Sequence, residues 1–356
     1  MGNARQHWLI KLFQGTRSRF FGTGRDACIT LVMGFLLIQV LGPLGDWLIW
    51  EATFFGSGRE ACQGREGACW VFITTRIGQF LFGFYPAEQR WRGVIAVALL
   101  VASLVPIFKK DVKFRAWWLL SGLALTPTLV SILLLGGVLG LEPVETDRWG
   151  GLMLTVILSY AGILLSLPLG IVLALGRRSQ LPVVSSLSVA FIELWRGVPL
   201  ITVLFMASVM LPLFMPEGAS IDKLLRALIG LALFASAYMA EVIRGGLAAI
   251  PKGQYEAAMA LGLSLPEAMA LVILPQALRK VIPGIVNTFI GLFKDTSLVL
   301  VIGMFDLIGM VQSAISDPEW LGMAGEGYVF AGLIYWLCCY AMSRYSARLE
   351  RGMVRD

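Results

Sequence analysis

Long apolar runs separated by short polar segments dominate this chain, and several runs approach 20 residues. A run of that length spans the hydrocarbon core of a bilayer as a helix. The pattern therefore predicts an all-α polytopic membrane protein with about eight transmembrane helices. The second span is the shortest, and Trp91 and Arg92 are suited to anchor its outer end. We place the spans at about 27–50, 93–108, 116–140, 150–175, 183–211, 226–248, 284–303 and 328–347.

Composition agrees with this pattern and excludes several kinds of catalytic and cofactor-binding site. Of the 356 residues, 57% are hydrophobic and only 15% are charged, whereas about a quarter of the residues of a soluble domain are charged. The one histidine, His7, argues against a metal triad or Ser-His-Asp catalysis in this chain. The sequence also lacks a P-loop. We therefore predict no catalytic residue, metal ligand or cofactor here, and a partner subunit must supply any ATP.

Lysine and arginine occur in clusters that fall on one side of the membrane if the chain crosses it eight times. By the positive-inside rule that side is the cytoplasm, which places both termini there. The same distribution explains the net charge of +6, which therefore does not indicate nucleic acid binding. Arg148, Lys223 and Arg226 go against the rule. The clusters are Arg5, Lys11, Arg17, Arg19 and Arg25; Lys109, Lys110, Lys113 and Arg115; Arg177 and Arg178; Lys252, Arg279 and Lys280; and Arg344, Arg348, Arg351 and Arg355.

The predicted outer loop 51–91 contains two cysteines, Cys62 and Cys69. In an oxidising compartment they can form a disulfide. Two unpaired thiols are the alternative, and the sequence does not decide between them.

The longest connection on the predicted cytoplasmic side, residues 250–283, is not simply polar. Its Ala-rich stretch from Glu256 to Leu261 predicts a helix, and Gly262 is placed to end it. Pro266 begins a second helix with Glu267 in its first turn, and Pro275 and Pro283 are expected to break the chain again. Two short helices joined at a glycine form a compact knob that a partner can push. An ordinary amphipathic connector is the alternative.

Charged residues within the predicted spans are candidates for a substrate pathway, because charges in a membrane usually face a cavity or each other. Glu193 lies about ten residues into span five, roughly 15 Å deep at helical rise, and Arg196 shares its helix face. Lys294 and Asp295 lie about as deep in span seven. A zwitterion would suit a cavity offering both signs. The alternative is that both pairs form internally and only hold helices together.

Other polar residues near these charges allow the same two interpretations. Glu241 and Arg244 are spaced i, i+3 near the end of span six, and we favour a structural ion pair for them. Tyr238 is either a substrate contact or a packed aromatic residue. Thr296 and Ser297 either offer hydroxyls to a bound carboxylate or bond to their own helix.

One motif carries a family resemblance. Glu256-Ala257-Ala258, three residues, Gly262, nine residues and then Val272-Ile273-Leu274-Pro275 resembles the EAA loop of permeases in binding-protein-dependent ABC importers. Val272 in place of isoleucine is the one departure. The resemblance implies that residues 256–262 form the helix that docks on an ATPase subunit. The ATPase-coupling residues it implies are Glu256, Ala257, Ala258, Gly262, Leu274 and Pro275.

Three further segments are similar to the polar amino acid (histidine/glutamine-type) branch of that family. They begin at Glu193, Ala237 and Lys294, and read ELWRGVPL, AYMAEVIRGG and KDTSL. The resemblance covers about 150–350. The spans before it look like those of general L-amino-acid and glutamate/glutamine/aspartate/asparagine permeases. Taken together, the resemblance and the charge pattern divide the chain into three parts. These are a cytoplasmic segment 1–26, three additional helices in 27–149 with the outer loop 51–91, and a five-helix core in 150–350 with the loop 250–283.

The resemblance implies a type I ABC importer transmembrane fold in a bacterial inner membrane, and a subunit without covalent chemistry of its own. Its partners would be two copies of an ATPase subunit that bind ATP and Mg, a periplasmic amino-acid-binding protein, and a second permease subunit that is related but different. An ion-gradient-driven secondary amino-acid transporter is the alternative. It would explain the buried charges but not the EAA loop, and no inverted repeat is evident. A membrane-embedded enzyme or a channel fits less well.

Overall fold

The computed structural model describes residues 20–104, 115–216 and 221–353, and within them the chain is helical, with only isolated β-bridges. His7, most of the predicted segment 1–26 and the end of the predicted second span lie outside the described residues. The chain divides into two compact units, one up to Thr75 and one from Arg76 onward.

The described part of the first unit consists of one long helix and a disulfide-closed loop. Helix α1 (Gly24–Gly45) begins at a capping box between Thr23 and Asp26 and continues as a π-helical segment, Asp46–Trp50. None of its residues is buried, which suits a helix that is apolar on every side and surrounded by lipid. In the loop, Cys62 and Cys69 form a disulfide with Cα atoms 5.7 Å apart.

Three helices follow. Helix α2 is Val71–Phe82, α3 is Arg90–Ser103 and α4 is Arg115–Leu135, and α3 packs against α4. The predicted third span, 116–140, is too long, because α4 ends at Leu135. Gly136 and Gly137 then adopt φ values of 67° and 76°, a left-handed conformation that ends a helix.

The next helices form the centre of the second unit. They are α5 (Gly151–Arg177), α6 (Pro182–Gly197), α7 (Leu200–Phe205) with a π-helical continuation to Met210, and α8 (Lys223–Ala248). Helices α5 and α8 pack most extensively. Their backbones approach closely at Gly170, where an added Cβ atom would lie 2.7 Å from the side chain of Met239.

The predicted fifth span, 183–211, is not one straight helix. Helices α6 and α7 meet at an angle of 102°. The cause lies at the junction: Pro199 has no N–H for a helical hydrogen bond, and Val198 before it is extended at φ −109° and ψ 132°. The chain therefore turns sharply just after Gly197.

The 250–283 loop forms a pair of helical segments. Helix α9 is Lys252–Ala260. The second segment consists of α10 (Leu265–Ala268), a π-helical stretch Met269–Ile273 and α11 (Leu274–Lys280). Pro275 does not break this segment, contrary to prediction. The stretch before it is π-helical, with bonds that run five residues back, and such a wider turn accommodates a proline that has no N–H to donate.

The chain ends with three further helices. Helix α12 (Ile282–Asp295) continues as a 3₁₀ segment, Thr296–Ile302, and is followed by α13 (Leu307–Ile315) and α14 (Ala324–Met353). Among the described residues, four helices are long and apolar enough to cross a membrane, or five if α6 and α7 count as one bent span. The figure of about eight spans stays a prediction.

Candidate functional site

Helix α9 presents one face to the protein and one to the outside. Ala258 is buried and Tyr255 packs against the apolar core, whereas Met259 is 50% exposed and Leu261 is 83% exposed. As predicted, Gly262 ends the helix, with φ 84°. Its N–H bonds to the Met259 carbonyl at 2.9 Å, and the next N–H reaches the Ala258 carbonyl at 3.3 Å. This Schellman motif needs a left-handed residue, which glycine supplies without strain.

The second helical segment begins at a capping box. The Ser264 hydroxyl and backbone N–H donate to Glu267 Oε2 at 2.6 and 2.9 Å. Both bonds lower the pKa of the exposed Glu267 carboxyl, and the bond from the hydroxyl has the larger effect. Pro266 lies in the first turn, where a missing N–H costs nothing, so the predicted helix start is confirmed.

Side-chain hydrogen bonds hold the 250–283 loop in place, and two of them, from Arg178 to Tyr255 and from Lys280 to Ala249, connect it to its surroundings. Arg178 Nη1 donates to the Tyr255 hydroxyl at 3.0 Å and to the Leu247 carbonyl at 3.4 Å. Within the loop, Gln276 Nε2 donates to Gln254 Oε1 at 3.0 Å. Finally, Lys280 Nζ donates to the Ala249 carbonyl at 2.9 Å. The loop is thus tied to the ends of α5 and α8.

Next to Arg178, five charged side chains form what we call the charge cluster: Arg177, Glu193, Arg196, Glu241 and Arg244. Glu241 lies at its centre, with 17% of its side chain exposed, and has nitrogens of Arg177 at 2.6 Å, Arg244 at 2.9 Å and Arg196 at 3.8 Å. Arg177 also reaches Glu193 at 3.3 Å. The predicted Glu241–Arg244 pair is therefore formed.

The ion-pair partner of Glu193 comes from α5. Arg177, its partner, is the last residue of α5, and the Ser185 hydroxyl near the start of α6 donates to the Arg177 carbonyl at 3.1 Å. Helix α6 therefore runs past the end of α5, where Glu193 meets Arg177. The predicted alternative of an internal Glu193–Arg196 pair is wrong, because each of these residues pairs with a residue of another helix.

Arg177 was not predicted as a site residue. The sequence indicates only a positive charge at the end of a span, and the spacing of Arg177 from Glu193 and Glu241 gives no sign of contact. Tyr238 joins the cluster from α8: its ring lies 5.7 Å from the Arg196 guanidinium and 4.9 Å from the Phe234 ring. It is 39% exposed, so it is more than a packed core aromatic.

The second group of candidates, at the end of α12, behaves differently. Lys294 is exposed and Asp295 is half-buried, and neither forms an ion pair with any described residue, so the predicted Lys294–Asp295 pair is absent. The hydroxyls of Thr296 and Ser297 donate to their own helix, at 2.8 Å each. Thr296 is fully buried, and its hydroxyl bonds to its own helix, as one of the two interpretations predicts.

An apolar cavity of about 390 Å³ lies beside the charge cluster, between the end of α6, α7 and the first half of α8. Trp195, Met206 and Leu233 are among its lining residues, and its wall is almost wholly apolar. A zwitterion would leave its charges unpaired there. Among the described residues, no group of three or more His, Cys, Asp and Glu side chains is arranged to hold a metal ion.

Comparison with known proteins identifies the family. Residues 166–355 match the model of the family described as "Binding-protein-dependent transport system inner membrane component". The chain is 55% identical to the inner membrane amino-acid ABC transporter permease protein YhdY of Escherichia coli, over 94% of this chain and 91% of that protein. It is 41% identical to the glutamate/glutamine/aspartate/asparagine transport system permease protein BztC of Rhodobacter capsulatus, over 90% and 88%.

A solved structure agrees in fold. The crystal structure of an amino acid ABC transporter with histidines superimposes with a TM-score of 0.51 at 31% identity, covering 56% of this chain and 91% of that one. The predicted type I ABC importer permease fold is thereby confirmed. This chain belongs to the family of binding-protein-dependent transport system inner membrane components, as its EAA loop predicted.

Proposed function

We propose that this chain is the transmembrane subunit of an ATP-driven amino-acid importer, and that the 250–283 loop couples it to an ATPase subunit. Relatives named as amino-acid permeases, at 55% and 41% identity over most of both chains, support the substrate class. The subunit itself performs no covalent chemistry. Two ATPase copies hold ATP and Mg, and a periplasmic amino-acid-binding protein delivers the substrate.

The observation that carries this proposal is the outward face of α9. Met259 on this helix and Leu261 at its C-cap are half or more exposed, whereas the other face of the helix is anchored by Ala258. Exposed apolar side chains rimmed by polar ones are typical of a surface that a protein partner covers. The Schellman motif at Gly262 fixes the angle at which this helix leaves the loop. The implied coupling residues Glu256, Ala257, Ala258 and Gly262 all lie on or directly after α9.

The residues proposed for the substrate pathway lie at the surface of the single subunit. Glu193, Arg196, Tyr238 and Lys294 are exposed, and Asp295 and Ser297 are partly exposed. A second permease subunit, related but different, would face this surface and enclose the pathway. The charge cluster has three arginines and two glutamates, so one positive charge in excess is available to a carboxylate.

In the proposed cycle, ATP closes the two ATPase subunits and moves the loops that rest on them. The pathway then opens to the outer side and receives an amino acid. Hydrolysis returns the loops and opens the pathway inward. This cycle requires the loop on the cytoplasmic side, with both termini on that side as well.

Co-purification, ATP hydrolysis and uptake in reconstituted vesicles test the proposal. Gly262→Asp forces a side chain into a left-handed position at the end of α9, and Glu256→Lys reverses a charge on its exposed face. Both are expected to abolish uptake and weaken co-purification with the ATPase subunit. The matched control is Gly322→Asp, because Gly322 has φ 93° and open space around it but lies outside the loop.

The control separates backbone strain from loss of coupling. Gly322→Asp should retain the ATPase subunit to the same extent as the wild type. Uptake that survives Gly262→Asp and Glu256→Lys and follows an imposed ion gradient without ATP would overturn the proposal in favour of a secondary transporter.

A further inference from the structure

Adjacent arginines at the end of α5 point in different directions. Arg178 reaches α9 through the Tyr255 hydroxyl, at 3.0 Å. Arg177 reaches α8 and α6 through Glu241 at 2.6 Å and Glu193 at 3.3 Å. Two consecutive residues therefore join the coupling helix to the charge cluster across the end of a third helix.

These side chains supply a connection that the backbone does not. Helix α9 follows α8 directly in the chain, so the loop pulls on α8 through the backbone itself. Helices α5 and α6 have no such covalent link to the loop. The only hydrogen bond from a side chain of α5 or its cap to α9, among the described residues, is the one from Arg178 to Tyr255.

The far end of this connection is the bend between α6 and α7. Glu193 and Arg196 lie in the last two turns of α6, directly before the 102° bend. Both are held by partners outside α6: Glu193 by Arg177, and Arg196 by Glu241. A displacement of α9 that shifts the end of α5 will therefore also shift the end of α6, next to the bend at Pro199.

We propose that Arg177 and Arg178 are positioning residues that transmit the movement of the coupling helix to the bend between α6 and α7. The inference rests on the proposed coupling function of the loop. It adds a specific path, in which Tyr255, Arg178, Arg177 and Glu193 are successive contacts. Loss of this path uncouples hydrolysis from transport, whereas docking of the ATPase subunit on the exposed face of α9 is retained.

The test is the ratio of amino acid taken up to ATP hydrolysed in the reconstituted full complex. Tyr255→Phe removes the hydroxyl alone and keeps the ring that packs against the apolar core. Arg178→Ala removes the donor, and Arg178→Lys keeps a donor. We expect the ratio to fall about three- to tenfold in Tyr255→Phe and in Arg178→Ala, the change that loss of one hydrogen bond of ordinary strength produces, because this contact is exposed to water. Arg178→Lys should recover part of it.

Because the path runs through the contact between these two residues, the double variant Tyr255→Phe/Arg178→Ala should be no worse than Arg178→Ala alone. Arg348→Ala, an exposed arginine of α14, is the matched control and should keep the wild-type ratio. An unchanged ratio in Tyr255→Phe, or independent multiplying losses in the double variant, would overturn the transmission path. Absence of ATP-driven uptake in the wild type would instead overturn the proposed function and the path with it.

Discussion

The N-terminal end of α5 is held by backbone contacts between glycines, whereas its C-terminal end is held by long charged side chains. At the first end, which we call the glycine junction, Gly150 and Gly151 meet Gly83 and the Phe305–Asp306 turn. At the second end, Arg177 and Arg178 reach three other helices through ion pairs and hydrogen bonds. The same helix thus has two very different attachments.

The glycine junction leaves almost no room for adjustment. The Gly151 N–H donates to the Phe305 carbonyl at 2.9 Å, and a Cβ atom on Gly83 would lie 2.4 Å from the Gly150 Cα. The adjacent Asp306 carboxylate is fully buried and accepts from the Gly309 N–H at 2.9 Å and the Tyr335 hydroxyl at 2.8 Å. Contacts of this kind hold only one arrangement.

In the charge cluster, by contrast, the side chains have more than one ion-pair partner within reach. Arg177 already contacts both Glu193 and Glu241, and Glu241 has three arginines within 4.0 Å. An arginine has several rotatable bonds, so it can change partner while the backbone moves. The comparison suggests that α5 is anchored at the glycine junction and that rearrangement takes place at the other end.

Gly151→Ala is expected to have the largest effect. Gly151 has φ 62°, and an added Cβ atom would lie 2.3 Å from the Phe80 carbonyl oxygen. The left-handed conformation alone costs about 1–2 kcal/mol for a non-glycine residue, and the clash with backbone adds to it. The yield of monodisperse protein in detergent should fall sharply. Gly291→Ala, in a helix with open space around it, is the control, and equal yields of the two variants would show that the junction is adjustable.

Asp306→Ala should have the next largest effect. It removes a helix cap, worth about 1 kcal/mol, and the hydrogen bond from Tyr335, worth about 0.5–1.5 kcal/mol. We expect a clear fall in the melting temperature of the purified subunit. Asp306→Asn keeps an acceptor for the cap and should lose less. If Asn is as harmful as Ala, the negative charge itself is what the junction needs.

Glu241→Gln should reduce stability less than either change at the junction. Its arginine partners are 27% to 45% exposed, so water can replace part of what they lose, and we expect a loss of about 1 kcal/mol or less. The loss should shrink further at high salt, which screens partly exposed charges. Melting temperatures at low and high salt check this, with Glu350→Gln on α14 as the control. A large loss independent of salt would mean that the cluster is as rigid as the junction.

The sequence predicted the local features of both regions but not their partners. Gly262 and Pro266 were placed correctly because a Schellman motif and a helix start depend on a few consecutive residues. The partner of Glu193 was not, because helical spacing reveals only neighbours on the same helix, and Arg177 comes from another one. The size of the bend at Pro199 could not be predicted for a related reason: a proline permits a kink, but the apolar run continues through it, and hydropathy carries no direction. The close approach at Gly83 likewise depends on tertiary structure.

The smallest expected effect is a loss of local stability in the 250–283 loop at low pH. Hydrogen bonds from Ser264 lower the pKa of Glu267 in the folded state, so the capping box contributes stability above the unfolded pKa. That contribution is lost as the pH falls through the lowered folded pKa. Hydrogen exchange of the amides in 264–273, corrected for intrinsic rates, should show protection falling as the pH approaches that value.

Glu267→Gln separates this titration from general acid unfolding. The glutamine keeps an acceptor for Ser264 but has no proton to gain, so its protection should stay level over the same pH range. Equal losses in wild type and Glu267→Gln would mean that other groups control the loop in acid. A loss confined to the wild type would show that the start of the second loop helix depends on one exposed carboxylate. Such a contact is easily remade, in contrast to the fixed backbone contacts at the far end of α5.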